Sequence, residues 1–263
     1  MYSLPLTLLL RASLFLLLFG CPAVLNAQEK IMDSDRARAI FEEMDQRRSS
    51  IDTEQASMQM VITDSRGRTR TRTLYSWTQN SGEDTMSLIV FADPGNVRGT
   101  AFLSISESGV ETQRLYLPAT GRIQLIGASE RGDRFMGSDF TYEDLGDQSS
   151  DDFEFEWLTD NENYYTIRAE NTTSQQYSSV EFDILKEKYA IQTVRYFDSE
   201  ERMIKRLEAE QFEQLTETLW SASVMTMFDL RENRKTELSW SEREINREIE
   251  EWRFTERGLR RGI

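Results

Sequence analysis

Acidic side chains are the most numerous groups in this sequence that could do chemistry. They form two clusters, Asp139, Glu143 and Asp144, and Asp151, Asp152, Glu154 and Glu156. A glycosidase needs two opposed carboxylates, and a calcium loop needs oxygen ligands at fixed alternating positions. Neither cluster has such a spacing, and among 46 Asp and Glu residues chance clusters are expected. Solvated surface faces are therefore the favoured interpretation of both.

Composition excludes several other chemistries. The 263 residues include 31 Lys and Arg against 46 Asp and Glu, a net charge of −15, which argues against binding to a nucleic-acid backbone. There is no histidine, so Ser-His-Asp catalysis and His-ligated metals are excluded, and the one cysteine excludes an internal disulfide. The sequence therefore predicts no catalytic residue, no metal and no cofactor; a hydrolase built on carboxylates alone is the weakest hypothesis.

Two other sets of side chains suggest binding. Arginines alternate at positions 66, 68, 70 and 72, which puts them on one face of a strand. They either dock an acidic partner or lipid headgroups, or form a solvated hairpin face that prevents edge pairing. Methionines also pair at this spacing, Met58 with Met60 and Met225 with Met227. Thioethers suit surfaces that repack around variable apolar ligands, although ordinary core packing explains such pairs equally well.

The N-terminus has the pattern of a secretory signal peptide. An apolar stretch runs from Leu4 to Leu25, interrupted by Arg11, and small residues follow it. Cleavage after Ala27 leaves residues 28–263 as one domain, released into a bacterial periplasm. The alternative is acylation of Cys21 within Leu18-Phe19-Gly20-Cys21, which resembles a lipobox.

Hydrophobic periodicity predicts a mainly β protein with helices at both ends. Apolar residues at helical spacing predict a helix over about 34–50, capped by Asp33 or Ser34. From Gln55 onward the period is two, which predicts eleven or twelve strands in a strongly curved sheet or partial barrel. Residues 131–148 break the rhythm and form a candidate loop or lid. Ser241 with Glu244 matches a capping box, so either a helix starts there or the strand from Lys235 continues.

A curved sheet of this size encloses more apolar surface than short helices can fill, which favours a hollow interior. Burial of an acyl chain of about 15 methylenes is worth roughly 12 kcal/mol at about 0.8 kcal/mol per CH₂. Strand parity predicts the following lipid-binding residues: Met58, Met60, Ile62, Tyr75, Trp77, Met86, Leu88, Val90, Leu103 and Ile105.

Several motifs carry a resemblance to a known family. They are Leu115-Tyr116-Leu117-Pro118-Ala119, Val97-Arg98-Gly99-Thr100, Phe254-Thr255-Glu256-Arg257 and, most specific, Phe135-Met136-Gly137-Ser138-Asp139-Phe140-Thr141-Tyr142-Glu143-Asp144-Leu145. Residues 30–263 resemble the bacterial outer-membrane lipoprotein-sorting proteins, a LolA/LolB-like group. The resemblance implies an unclosed antiparallel β-barrel, here of about 11 strands, with helices as a lid over an apolar cavity.

The function implied by the resemblance is non-covalent carriage of lipid or lipoprotein acyl chains, with transient membrane contact and an inner-membrane transporter of the RND/MMPL type as partner. Residues singled out by the family motifs are Arg98, Phe135, Met136, Gly137, Ser138, Asp139, Phe140 and Tyr142, with the aromatic side chains and Met136 packing at the barrel mouth. The alternative hypothesis is a non-carrier envelope module, in which a packed β scaffold binds another protein.

Overall fold

The structure, a computed structural model, describes residues 22–146, 150–171, 174 and 176–262. Most of the predicted signal peptide (residues 1–27), including Cys21, lies outside these residues. The described chain forms one antiparallel sheet, curved and unclosed, with the strand order β6-β5-β4-β3-β2-β1-β13-β12-β11-β10-β9-β8-β7. The first and last strands therefore pair in the middle of the sheet, where β1 lies between β2 and β13.

Every alternating run of the sequence forms its own strand, so the sheet has thirteen strands rather than about eleven. The strands are β1 Thr53–Thr63, β2 Thr69–Ser81, β3 Asp84–Asp93, β4 Ala101–Glu107, β5 Val110–Leu117, β6 Arg122–Ile126, β7 Phe153–Asp160, β8 Tyr164–Asn171, β9 Ser179–Leu185, β10 Ala190–Phe197, β11 Met203–Gln214, β12 Trp220–Asp229 and β13 Arg234–Ile245.

The N-terminal helix α1 spans Pro22–Arg48, so the predicted cap at Asp33 or Ser34 is wrong. Residues 26–32 contain Ala, Gln, Glu, Lys and Met, which are strong helix formers, and a proline is tolerated in the first turn of a helix. The helix crosses one end of the sheet and packs through Phe41, whose ring centroid lies 5.2 Å from that of Phe155 and 5.6 Å from that of Phe182.

The C-terminal region continues as a strand past Ser241, because β13 pairs with β1 as far as Ile245, opposite Glu54. A helix at Ser241 is therefore excluded, and the other interpretation of this segment is correct. The helix α2 spans only Glu256–Arg261 and is capped by the Thr255 hydroxyl, which accepts a hydrogen bond from the Gly258 amide.

The two faces of the sheet carry two separate apolar clusters. We call the face that bears Met58, Leu74 and Phe91 the inner face, because these residues lie opposite one another across β1, β2 and β3. The opposite, outer face bears Tyr75, Trp77 and other side chains. Helix α1 and residues 131–146, here called the motif loop, cover the inner face. The C-terminal segment, residues 249–262, covers the outer face.

Candidate functional site

A cavity of about 370 Å³ opens on the inner face. Helix α1 and the residues after it contribute Arg48 and Ile51, and the motif loop contributes Phe140, Asp144, Leu145 and Gly146. The remaining walls come from the strands β1–β4 and β10–β13. The cavity therefore lies at the centre of the sheet, beside the pairing of β1 with β13.

The two walls of the cavity differ in polarity. The strands β11, β12 and β13 supply an apolar wall that consists of Leu207, Met225, Met227, Leu238 and Trp240. The strands β2, β3 and β4 supply hydroxyl groups from Ser76, Thr78, Thr85, Ser87 and Ser104. An apolar wall opposite hydroxyl groups is suited to a molecule that has a hydrocarbon part and a polar part.

A charged pair lies in the cavity wall near the ends of β1 and β13. Arg243 Nε is 3.0 Å from Glu54 Oε1, and the Arg243 side chain is only 6% exposed. Burial raises the pKa of Glu54 despite the opposing effect of the Arg243 charge. Sequence reasoning missed both residues, because only the pairing of the first and last strands brings them together.

The ten predicted lipid-binding residues do not share one face. Met58, Met60 and Ile62 are on the inner face, and Met58 lines the cavity together with Met225 and Met227. The other seven are on the outer face: Tyr75, Trp77, Met86, Leu88, Val90, Leu103 and Ile105. Because Met58 pairs with Leu74, the even-numbered residues of β2 face inward and the expected parity is wrong for β2, β3 and β4.

The outer-face cluster is filled by the protein's own side chains. Phe254 and Leu259 of the C-terminal segment pack with Trp77, Leu88 and the other residues of this cluster, and Leu259 is fully buried. The C-terminal segment therefore covers the cluster that contains the seven outer-face residues.

The motif loop is held to the inner face by several anchors, of which the first is at Asp139. The Thr236 hydroxyl donates to Asp139 Oδ2 at 2.7 Å and accepts from the Asp139 amide at 2.9 Å. Arg234 Nε lies 3.1 Å from Asp139 Oδ1, and Arg234 also donates to the Gly137 carbonyl. Burial raises the pKa of Asp139, with Thr236 and Arg234 acting in the opposite direction.

The second anchor is a buried polar cluster. Lys205 Nζ of β11 lies 2.5 Å from Asp144 Oδ2 and 2.7 Å from the Tyr177 hydroxyl. Burial raises the pKa of Tyr177 well above its usual value. The predicted solvated face is therefore wrong for Asp139 and Asp144, which are buried and paired. It is correct for the second cluster in Glu154 and Glu156, which are exposed.

Other residues of the family motifs complete the loop. The ring of Phe135 packs against Phe91, Phe102 and Tyr142, with centroids 5.3–5.7 Å apart, and Phe140 and Ser138 are buried too. Met136 and Gly137 have φ values of 50° and 75°, which turn the chain at this point. Arg98 belongs to a separate turn, where it pairs with Asp93 and donates to the Ala92 carbonyl.

The four alternating arginines at positions 66, 68, 70 and 72 do not share one environment. Arg72 is on the inner face, where its Nη1 donates to the Met136 carbonyl at 2.7 Å, so it is a further anchor of the motif loop. Arg68 pairs with Asp64 in the β1–β2 turn, whereas Arg66 and Arg70 are exposed. The expected outward face is therefore wrong for Arg72.

A smaller space of about 340 Å³ beside the first anchor is lined mainly by charged groups, including Arg134, Asp229 and Glu232. Arg134 Nη2 lies 2.6 Å from Asp229 Oδ2 and its Nη1 lies 2.9 Å from Glu232 Oε2, so these charges are paired. Within the described residues no three His, Cys, Asp or Glu side chains are arranged to hold a metal ion. Among the helices of the described residues, none contains an apolar stretch of the length that is needed to span a lipid bilayer.

Solved structures share this architecture. The chain is similar to a domain from Vibrio parahaemolyticus described as an outer-membrane lipoprotein-sorting protein domain, with 26% identity over 86% of this chain and 99% of that one and a TM-score of 0.81. A DUF1329 family protein from Desulfovibrio piger has 22% identity, the same coverage and a TM-score of 0.81. A LolA-superfamily protein from Nitrosomonas europaea has 17% identity, coverage of 83% and 97%, and a TM-score of 0.65.

The fold is therefore of the LolA-like, outer-membrane lipoprotein-sorting class, which confirms the resemblance seen in the sequence. A family model described as "-like: Uncharacterized protein" matches residues 83–261, more than half of the chain, and the chain belongs to that family. A comparison with curated proteins gives no match.

Proposed function

We propose that this protein is a periplasmic carrier that buries a lipid or lipoprotein acyl chain in the inner-face cavity and performs no chemical step. The observation that carries the proposal is the cavity itself, which opens between α1 and the motif loop against the apolar wall of Met225, Met227 and Leu238. The LolA-like fold supports the same conclusion. Each methylene moved from water to this wall contributes about 0.8 kcal/mol.

The size of the cavity limits what it can hold. Its volume of about 370 Å³ is near the lower end of the range of roughly 300–1,000 Å³ that is usual for small-molecule sites. One acyl chain is therefore the expected cargo of the cavity as it stands. A lipid with several chains requires the motif loop or α1 to move, and the two buried anchors of the loop oppose its movement.

A matched pair of variants on β2 tests the proposal. Thr78 lines the cavity, whereas its neighbour Gln79 points to the outer face. Thr78→Phe fills the cavity, and Gln79→Phe adds the same bulk outside it. Native mass spectrometry of protein purified from a bacterial periplasm is expected to show a lipid-sized mass on the wild type and on Gln79→Phe, but not on Thr78→Phe. Equal occupancy of the two variants would contradict a cargo in this cavity.

Localisation and partners complete the proposal. We infer secretion through the signal peptide of residues 1–27, with a carrier domain over residues 28–263 that makes transient membrane contact. The RND/MMPL-type transporter stays a prediction from the family resemblance. Chemical cross-linking in the periplasm, with the transporter identified by mass spectrometry, tests that partner.

The alternative function is an envelope interaction module on a packed scaffold. The motif loop and the C-terminal segment both fill large apolar areas with the protein's own side chains, which favours this alternative. A wild-type protein that carries no lipid, and whose Thr78→Phe variant keeps its protein partners, would support it over the carrier.

A further inference from the structure

One charged side chain in the cavity wall lacks a full set of partners. The guanidinium of Arg243 is a cation with five N–H donors and no acceptor. Its Nη2 donates to the Ala222 carbonyl at 3.2 Å, and its Nε contacts Glu54 Oε1. Its Nη1 is buried and has no hydrogen-bond partner within the described part of the chain. A buried, incompletely paired guanidinium is costly unless an anion completes its hydrogen bonds.

Arg243 lies at one end of the cavity, and its position there determines how an amphiphilic ligand is oriented. From Arg243 the wall continues along β13 through Trp240 to Leu238, a span of roughly 17 Å at about 3.3 Å per strand residue. The far end is closed by the motif loop, because the Asp139 amide bonds Thr236, and Phe140 follows it in the cavity wall. The cavity therefore has Phe140 and Leu145 of the loop, together with the Asp144 that is paired with Lys205, at one end and the cationic group of Arg243 at the other end.

The internal counter-ion of Arg243 is a weak competitor for an anion. Among the described residues, the Glu54 carboxylate has one ion-pair contact, the 3.0 Å approach to Arg243 Nε, and Nε lacks hydrogen-bond geometry to it. The Glu54 side chain is 22% exposed, so it can turn away toward solvent when another anion arrives. A planar guanidinium binds carboxylate or phosphate oxygens in bidentate fashion.

We propose that Arg243 binds the anionic head of an amphiphile whose hydrocarbon chain lies along Trp240, Leu238 and Met225 toward the motif loop. This inference rests on the proposed carrier function and adds to it the chemical class of the cargo: a single-chain lipid whose head bears a carboxylate or a phosphate rather than a neutral group. A carboxylate and a phosphate share this chemistry, so the source of the anion is left to the experiment.

The test compares three defined single-chain probes: oleate, oleoyl-lysophosphatidylglycerol and the neutral lipid monoolein, each titrated into delipidated full-length mature protein. Arg243→Gln is expected to weaken binding of at least one anionic probe by about tenfold or more, equivalent to about 1.4 kcal/mol, while monoolein changes by less than about twofold. The anionic probe that loses affinity identifies the source, a carboxylate for oleate and a phosphate for the phospholipid.

Two control variants distinguish anion binding by Arg243 from a structural effect and from a general effect of charge. Glu54→Gln keeps Arg243 and removes the competing carboxylate, so it is expected to tighten binding of the same anionic probe, which a purely structural role of the pair does not produce. Arg202→Gln removes an equal charge from an exposed ion pair with Asp198 and is expected to leave all affinities unchanged. If Arg243→Gln does not fold, the double variant with Glu54→Gln, which removes both buried charges, replaces it.

The two proposals fail in different ways. If the wild type binds all three probes and Arg243→Gln or the double variant changes none of them selectively, the headgroup inference is overturned and the carrier function stands. If the wild type binds none of the probes, the carrier function is overturned too. Selective loss of an anionic probe, with Glu54→Gln acting in the opposite direction, supports both.

Discussion

Lys205 and Asp144 form a buried ion pair, with Nζ and Oδ2 2.5 Å apart and each side chain only 3% exposed. The Tyr177 hydroxyl completes the cluster by accepting from Lys205 and donating to Asp144 Oδ1 at 3.1 Å. The pair joins the motif loop to β11. Because both charges are buried, removal of one partner leaves the other charge unpaired and away from water, which destabilises the fold.

We expect each single replacement in this pair to lower the free energy of unfolding strongly. The double replacement is expected to lower it by less than the sum of the two single costs. Lys205→Met or Asp144→Leu alone leaves one buried charge unpaired and is expected to lower the free energy of unfolding by about 3–5 kcal/mol. The double variant leaves no charge and is expected to cost clearly less than the sum of the two. Urea unfolding at pH 7 measures all three, and additive costs would contradict a coupled pair.

The first anchor of the motif loop gives an independent prediction. Thr236→Val keeps the shape of the side chain but removes the hydroxyl that bonds both the carboxylate and the amide of Asp139. The expected cost in unfolding free energy is about 1–3 kcal/mol, because buried groups are left without partners. Thr236→Ser retains the hydroxyl and is the matched control. Equal urea midpoints for the wild type and Thr236→Val would show that this anchor contributes nothing.

The contact between Asp64 and Arg68 in the turn between β1 and β2 predicts that the stability of the fold depends on pH. A side-chain hydrogen bond from Arg68, helped by backbone hydrogen bonds, lowers the pKa of Asp64 from 3.8 to about 2. A lowered folded-state pKa means that ionised Asp64 stabilises the fold above pH 3.8 and that this contribution is lost as the pH falls through about 2.

Asp64→Asn keeps an acceptor for the Arg66 and Arg68 amides, but it removes the charge together with the Oδ2 acceptor of the Arg68 Nε hydrogen bond. Its urea midpoint is expected to lie below that of the wild type at pH 7 and to converge with it near pH 2. A difference that stays the same at both pH values would show that the charge of Asp64 has no role.

Strand positions were predictable because the alternation of apolar and polar residues is local. The faces of β2, β3 and β4 were not, because β3 is apolar on both sides, as in Leu88-Ile89-Val90-Phe91. Each of these residues is buried, the even-numbered ones on the outer face and the odd-numbered ones on the inner. A continuous apolar run of this kind is itself a signal that a strand is covered on both faces. The parity then depends on the pairing register, which the sequence does not contain.

The charged parts of the site were beyond sequence reasoning for a different reason. Carboxylates are exposed in most proteins, so Asp139 and Asp144 had no local sign of burial. Their partners, Arg234 and Lys205, are 95 and 61 residues away along the chain (234 − 139 and 205 − 144). The motif that contains the two carboxylates did identify the loop, but only the fold shows that it is an anchored cover.

The C-terminal segment offers a prediction about close packing. A Cβ atom on Gly258 would lie 1.9 Å from the Arg253 carbonyl oxygen, a distance that requires the backbone to shift. Gly258→Ala is therefore expected to displace α2, expose Leu259 and cost about 2–5 kcal/mol in unfolding free energy, as for loss of a buried leucine.

Gly95→Ala is the control for this variant, because a Cβ atom there meets nothing within 4 Å. Limited proteolysis is expected to cleave the C-terminal segment faster in Gly258→Ala than in Gly95→Ala. Identical cleavage and identical urea midpoints would mean that α2 does not need this close approach.

Substitutions at Leu88 and Ile89 on β3 distinguish the roles of the two faces of the sheet. Leu88 is fully buried under the C-terminal segment, and its neighbour Ile89 lines the cavity on the inner face. Leu88→Ala is expected to cost about 2–5 kcal/mol in unfolding free energy, yet to leave lipid occupancy in native mass spectra unchanged. Ile89→Ala removes part of the cavity wall, so it is expected to cost less stability and to change lipid affinity. Loss of lipid from Leu88→Ala with Ile89→Ala unaffected would place the cargo on the outer face, and the cavity would then be a void without function.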